Sequence, residues 1–226
     1  MRVLVTGTEG YIGALLPQVL VRQGHEVVGL DTGYYRDGWL YSSKATPATP
    51  VHINKDLRDA TVEDLRGFDA MVHLAELSND PLGQLRPEVT YAINHEGSVG
   101  LAMRAKAAGV KRFVYNSSCS VYGVGKGDFL DETAPTNPQT AYASCKVLVE
   151  QDVSKLASDD FSPVFLRCAT AYGPSPRMRF DTVLNNLAGL AWTTKKIAMV
   201  SDGTPWRPLV HLLDICKAIA CALEAP

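Results

Sequence analysis

Nowhere do the 226 residues run apolar for the roughly 18 positions that a helix needs to cross a bilayer. Charge of one sign is also lacking: 22 Lys and Arg face 24 Asp and Glu, and a net of −2 supplies no basic field for nucleic acid. Neither a membrane nor a nucleic acid is expected as a partner. Cysteine is sparse and odd in number. The five residues Cys119, Cys145, Cys168, Cys216 and Cys221 include no CxxC pair, which argues against a disulfide framework or a zinc site and predicts reduced, mostly buried thiols. The opening residues MRVLVTG lack the long apolar stretch of a signal peptide, so a cytoplasmic location is expected. No internal repeat is visible, and low complexity is confined to KATPATP at 44–50, which reads as a surface turn.

What is present is a rhythm. With 46% apolar residues the chain can bury a sizeable core. Short β-rich runs (RVLVT, EVVGLD, VHINKD, DAMVHLA, KRFVYNSS) alternate with helical patterns: YIGALLPQVLVRQ, a short helix near Val62 to Leu65 and a long one near Val89 to Ala108. That alternation predicts βαβ units and an α/β fold with a parallel sheet. The strands are continuous apolar runs, as expected where helices cover both faces. A loop is expected from about 123 to 140, a helix from Ala141, a strand at Val164 to Leu166 and a further loop from Gly173 to Arg179.

The first strand ends in TGTEGYIG, which sets Gly7, Gly10 and Gly13 three residues apart ahead of a helix. Phosphate binding needs that spacing: Gly7 for a tight turn, Gly10 for approach of a pyrophosphate to the backbone, Gly13 for close helix–strand packing. The second strand ends at Asp31, from which a carboxylate accepts hydrogen bonds from an adenosine ribose and repels a 2′-phosphate. The expected cofactor is therefore NAD rather than NADP, with Arg36 as the one nearby residue that would suit the phosphate.

Two tyrosines have a lysine four residues later, Tyr122 with Lys126 and Tyr142 with Lys146. Residues at i and i+4 meet only on a helix, and Gly123, Gly125 and Gly127 disfavour one after Tyr122. Tyr142 opens AYASCKVLVEQDVSKLA, a helical pattern with Val147, Leu148 and Val153 on its apolar side. Lys146 beside Tyr142 is expected to lower the phenol's pKa and make it a usable base.

Together these residues resemble the extended short-chain dehydrogenases/reductases, in particular the NAD-dependent nucleotide-sugar epimerases and dehydratases such as UDP-glucose 4-epimerase. The likeness runs through TGTEGYIG, Asp31, Asp56-Leu57, HLAE at 73–76, Asn94, SSCSVYG at 117–123, the YxxxK at Tyr142, LRCATAYGP at 166–174 and RPLVHLLD at 207–214. It implies a Rossmann-type doubly wound sheet over 1–168 and a small C-terminal substrate lobe over 169–226, interleaved with the end of the first domain and incomplete beside the usual family length. It also implies a homodimer built on the Val89–Ala108 and Tyr142 helices.

By the same resemblance, Ser118, Tyr142 and Lys146 are catalytic, and Cys119 is a bystander. Cofactor contacts fall on Gly7, Gly10, Tyr11, Ile12, Gly13, Asp31, Asp56, Leu57, Leu74, Ala75, Asn94, Tyr142 and Lys146. The substrate, a nucleotide sugar and most simply a UDP-linked one, would meet Ser118, Thr170, Asn185 and Arg207. Two departures stand out: Thr170 where many relatives carry Asn, and Glu76 where a small residue is usual. Dehydratases of the family carry Asp and Glu directly after the catalytic Ser or Thr, and decarboxylases tend to carry Glu just before VYG. Here those positions hold Cys119 and Ser120, so C4 epimerisation is expected. A dehydratase or reductase on the same scaffold, and a non-catalytic NAD sensor, remain the alternatives.

Overall fold

The computed structural model describes residues 1–41, 51–78, 80–124, 129–199, 201–204 and 206–225. The KATPATP turn and Lys126 lie outside the described residues. Strand β1 (Arg2–Thr6) leads through α1 (Leu16–Arg22) to β2 (Glu26–Asp31), β3 (Val51–Asn54) and β4 (Ala70–His73). Helices α2 (Asp80–Leu85) and α3 (Pro87–Thr90) follow, then a π-helical segment Tyr91–Gly97 that runs into α4 (Ser98–Ala107). After β5 (Arg112–Tyr115) come α5 (Ala141–Ser154), β6 (Ser162–Phe165), β7 (Thr170–Tyr172), α6 (Val183–Thr194), β8 (Leu209–His211) and α7 (Leu212–Glu224). Six strands form one parallel sheet in the order β3-β2-β1-β4-β5-β6, the doubly wound Rossmann arrangement, and β7 pairs with β8 separately.

The apolar runs explain the two layers. Alternate residues of one strand point to opposite faces, so Leu4 packs with Leu101, Ala105, Val149 and Val153 of α4 and α5, while Val3 and Val5 pack with Leu16, Leu20, Ile215 and Ile219 of α1 and α7. Both faces are covered, and each fully buried Val or Leu contributes about 1.5–3 kcal/mol.

Three local expectations are refined. Helical hydrogen bonds begin at Gly10, with Ala14 N donating to Gly10 O at 2.9 Å, but regular α1 starts at Leu16, with Pro17 in its first turn, where a missing N–H costs nothing. The long helix expected over Val89 to Ala108 widens into a π segment at 91–97, and there Asn94 is fully buried. Helix α5 carries its buried face on Ala143, Cys145, Lys146, Val149, Glu150 and Val153, while Val147 and Leu148 are only half-buried. Two ionisable residues on the inner face break the simple apolar stripe, and both belong to the site.

Candidate active site

Parallel register brings the C-terminal ends of the strands to one edge: Thr6 aligns with Leu30 and His73, and His73 with Tyr115. Ligands of doubly wound sheets bind along this edge. Gly7 adopts φ +74°, and a Cβ there would lie 2.8 Å from Ala75 N. At Gly13 a Cβ would fall 1.9 Å from Gly7 O, so no larger residue can close the turn. Gly10 is more open, with only Gly7 O at 3.3 Å from such an atom.

Asp31 shapes the other end of this cradle. Its Oδ2 accepts from Glu9 N and its Oδ1 from Gly33 N, each at 3.0 Å. Thr6 Oγ1 accepts from Leu74 N and Ala75 N at 3.1 and 3.2 Å and also meets His73 Nδ1 at 2.7 Å, which fixes the loop after β4. Burial pushes the His73 imidazole down to about 3, so it is a neutral strut and no base. The same loop is held at Leu77, whose N donates to Asn94 Oδ1 and whose O accepts from Asn94 Nδ2, both at 2.8 Å. Leu57 is buried in the core beneath the expected adenine end, and the Asp56 carboxylate is gripped by Arg58, with Oδ2 at 2.7 Å from Nη2. The tight approach at Gly7 and Gly13 and the Asp31 carboxylate at the strand edge fit NAD, which would supply hydride acceptance when bound.

The catalytic candidates converge on the next strand. Ser118 precedes a 3₁₀ turn, Cys119–Tyr122, and its Oγ accepts from Ser120 N at 3.1 Å. Lys146 is 3% exposed, and its Nζ lies 5.3 Å from the Tyr142 ring centroid and 4.3 Å from that of Tyr115. It donates to Asn116 O at 2.5 Å and pairs with Glu76 Oε2 at 2.5 Å. Glu76 Oε1 in turn accepts from Tyr115 OH at 2.5 Å. Burial is the largest influence and pushes the ammonium down, but Glu76 and Tyr142 act against it and Lys146 is held above its ordinary value.

The Tyr142 phenol corrects the sequence expectation. The residue keeps some exposure, yet its hydroxyl is enclosed, and burial raises its pKa instead of lowering it. Lys146 and Ser118 pull it back, while the Glu76 carboxylate pushes it up. Cys119 is half-buried and burial raises its thiol as well, so it is not a poised thiolate, in keeping with its bystander role.

A layer below, Ser117 Oγ donates to Glu150 Oε1 at 2.5 Å, Arg167 Nη2 to Glu150 Oε2 at 2.7 Å, and Arg167 Nη1 to Tyr122 OH at 2.9 Å. This network clamps the backbone on either side of Ser118. Sequence reading missed it, although Glu150 four residues after Lys146 on one helix was the available signal.

On the substrate side, Thr170 pairs with Leu209 at the head of the small sheet. Asn185 is 7% exposed, and its amide is fully used: Oδ1 accepts from Gly173 N at 3.1 Å, while Nδ2 donates to Tyr11 OH at 2.7 Å and Arg179 O at 2.9 Å. Tyr11 OH donates to Gly173 O at 2.7 Å, so Tyr11 and Asn185 together tie the glycine-rich turn to the 173–179 loop. Arg207 is exposed, and its charge bears on Cys119 beside Ser118. Arg179, absent from the sequence candidates, bears on Tyr142 while bonding Asp181 at 2.6 Å and Ser78 Oγ at 2.9 Å. Among the described residues no group of His, Cys, Asp and Glu could hold a metal ion, and no helix is long and apolar enough to cross a membrane.

Known proteins resemble the chain in sequence and in fold. The chain is 29% identical over 240 residues to UDP-glucose 4-epimerase of Corynebacterium glutamicum, with 100% of this chain and 71% of that protein covered. Its fold matches a UDP-glucose 4-epimerase from Stenotrophomonas maltophila, solved with NAD and formylated UDP-arabinopyranose, at a TM-score of 0.86 and 28% identity over 99% of this chain and 74% of that one. It is as similar in shape to TunA, an NAD-dependent NDP-hexosamine 5,6-dehydratase of tunicamycin biosynthesis, with a TM-score of 0.85, 26% identity, and 97% and 71% covered. The family model of NAD dependent epimerases/dehydratases matches residues 3–226, and with the glycine cradle, Asp31 and the Tyr142–Lys146 helix in place, the chain belongs to the NAD dependent epimerase/dehydratase family.

Proposed function

We propose that the chain interconverts the C4 epimers of a nucleotide sugar, most simply a UDP-hexose, through a transient 4-keto sugar. NAD held in the glycine-rich cradle would supply reversible hydride transfer. Burial raises the Tyr142 phenol, but Lys146 and Ser118 draw it back down and so support Tyr142 as the group that takes the C4 hydroxyl proton and later returns it, with Ser118 hydrogen-bonding the same oxygen as its character changes. Lys146, held by Asn116 O and Glu76, would stabilise the phenolate and bind the nicotinamide ribose. Arg207, exposed beside the Ser118 turn, suits a diphosphate by its planar fork. Thr170 meets the sugar, while Asn185 serves the nucleotide diphosphate side through the 173–179 loop that its amide ties.

The observation that carries the reading concerns carboxylates. Dehydration and decarboxylation need an acid or base beyond the tyrosine, and Cys119 and Ser120 offer none. Glu76 bears on Tyr142, but it is 4% exposed and both its oxygens are engaged, by Lys146 and Tyr115. A keto sugar held here has no added group to expel water, so it turns and regains the hydride on its other face. The test supplies UDP-glucose, UDP-galactose and their uronic and N-acetyl forms with NAD and follows products by NMR. The 4-epimer should form without net NADH. A 4-keto-6-deoxy or decarboxylated product, or stoichiometric NADH, would overturn the proposal. A homodimer accompanies it, supported by exposed Met103 on α4 and half-buried Val147 and Leu148 on α5, and light scattering at a monomer mass would contradict it.

A further inference from the structure

An arginine just after β2 would ordinarily welcome the 2′-phosphate of NADP, and Arg36 stands there. In the folded chain its guanidinium is already occupied. Arg36 Nε and Nη2 both donate to Glu9 Oε1, at 2.8 and 2.6 Å. Glu9 belongs to the glycine-rich turn and has only 5% of its side chain exposed, whereas Arg36 stays 58% exposed. The two meet beside Asp31, because Glu9 N donates to Asp31 Oδ2 at 3.0 Å. A Cβ built on Gly33, whose N bonds the same carboxylate, would lie 3.7 Å from Glu9 Oε2 and 3.8 Å from Arg36 Nη2. Glu9 Oε2 is itself buried and has no hydrogen-bond partner among the described residues. A buried carboxylate in that condition retains its one cation strongly, since losing it would strand the charge.

We infer that Glu9 is a positioning residue for cofactor choice: it holds the Arg36 guanidinium off the adenosine ribose, so that a 2′-phosphate would meet the Asp31 and Glu9 carboxylates with Arg36 already engaged. Asp31 repels the phosphate directly, and Glu9 withholds the group that would otherwise compensate. The two residues stand 27 positions apart, and the parallel sheet brings the turn after β1 and the loop after β2 together.

The inference rests on the NAD site alone and not on the sugar reaction, so equilibrium binding of NAD and NADP to the whole chain, followed by calorimetry, tests it without turnover. Glu9→Gln and Glu9→Ala, each checked for native circular dichroism, should improve binding of NADP relative to NAD about tenfold. The gain should vanish in Glu9→Gln combined with Arg36→Ala. An unchanged NADP-to-NAD ratio in both folded single variants would overturn the inference. A gain that survives the loss of Arg36 would overturn it too, because Glu9 would then act by repulsion and not through the arginine.

Discussion

Lys146 Nζ and Glu76 Oε2 stand 2.5 Å apart with both side chains 4% exposed, so the buried ammonium of the site is matched by a carboxylate that arrives from the loop after β4. The pair is further bonded to Asn116 O and Tyr115 OH, which leaves neither charge stranded. Glu76→Gln should lower unfolding free energy by about 3 kcal/mol, the cost of leaving a buried charge without its partner. Urea denaturation measures it, and an unchanged midpoint and slope would show that the pair is energetically neutral.

Tyr142→Phe keeps the ring that packs over Lys146 and removes only the hydroxyl. Turnover should fall by about 10²–10⁴-fold, the range for losing a proton-transfer group, while the NAD dissociation constant stays nearly constant. Steady-state rates beside a cofactor titration separate the two, and near-native turnover would remove Tyr142 from the mechanism.

Gly13→Ala would set a Cβ 1.9 Å from Gly7 O and 2.8 Å from Thr8 Cα, both backbone atoms that cannot swing aside. The expected result is a loss of about 3 kcal/mol, at the upper end for overpacking, together with failed NAD binding. Thermal unfolding and calorimetry report the two effects.

His73 makes stability depend on pH. Its folded value of about 3 lies below the 6.5 of an exposed imidazole, so the unfolded chain binds the proton more readily. The stabilisation is complete above 6.5 and is lost as pH falls from there towards 3. Between pH 7 and 5 the wild-type chain should lose about 2 kcal/mol through this residue. His73→Gln, which can still bond Thr6 and Ser98, should show that much less pH dependence in parallel urea titrations.

Much of the molecule was legible in one dimension because the interactions concerned are local. The strand–helix rhythm, the three glycines of TGTEGYIG and the i to i+4 pair of Tyr142 and Lys146 each depend on residues within a turn or a strand of one another, so spacing together with the local helical or glycine-rich context carries them. By itself the sequence thus determined an α/β fold with a parallel sheet and an NAD-type turn, while the doubly wound order and the choice of Ser118 came from the family resemblance. The direction of the Tyr142 pKa was beyond it, because burial and the distant Glu76 carboxylate outweigh the neighbouring lysine. Likewise, only folding shows that Asn185 and Tyr11 are joined across the chain, that Glu150 and Arg167 clamp the turn at Ser118, and that Arg36 is held by Glu9. These are contacts between segments that meet only at the edge of the sheet, where desolvation makes each charge depend on the partner that tertiary packing delivers.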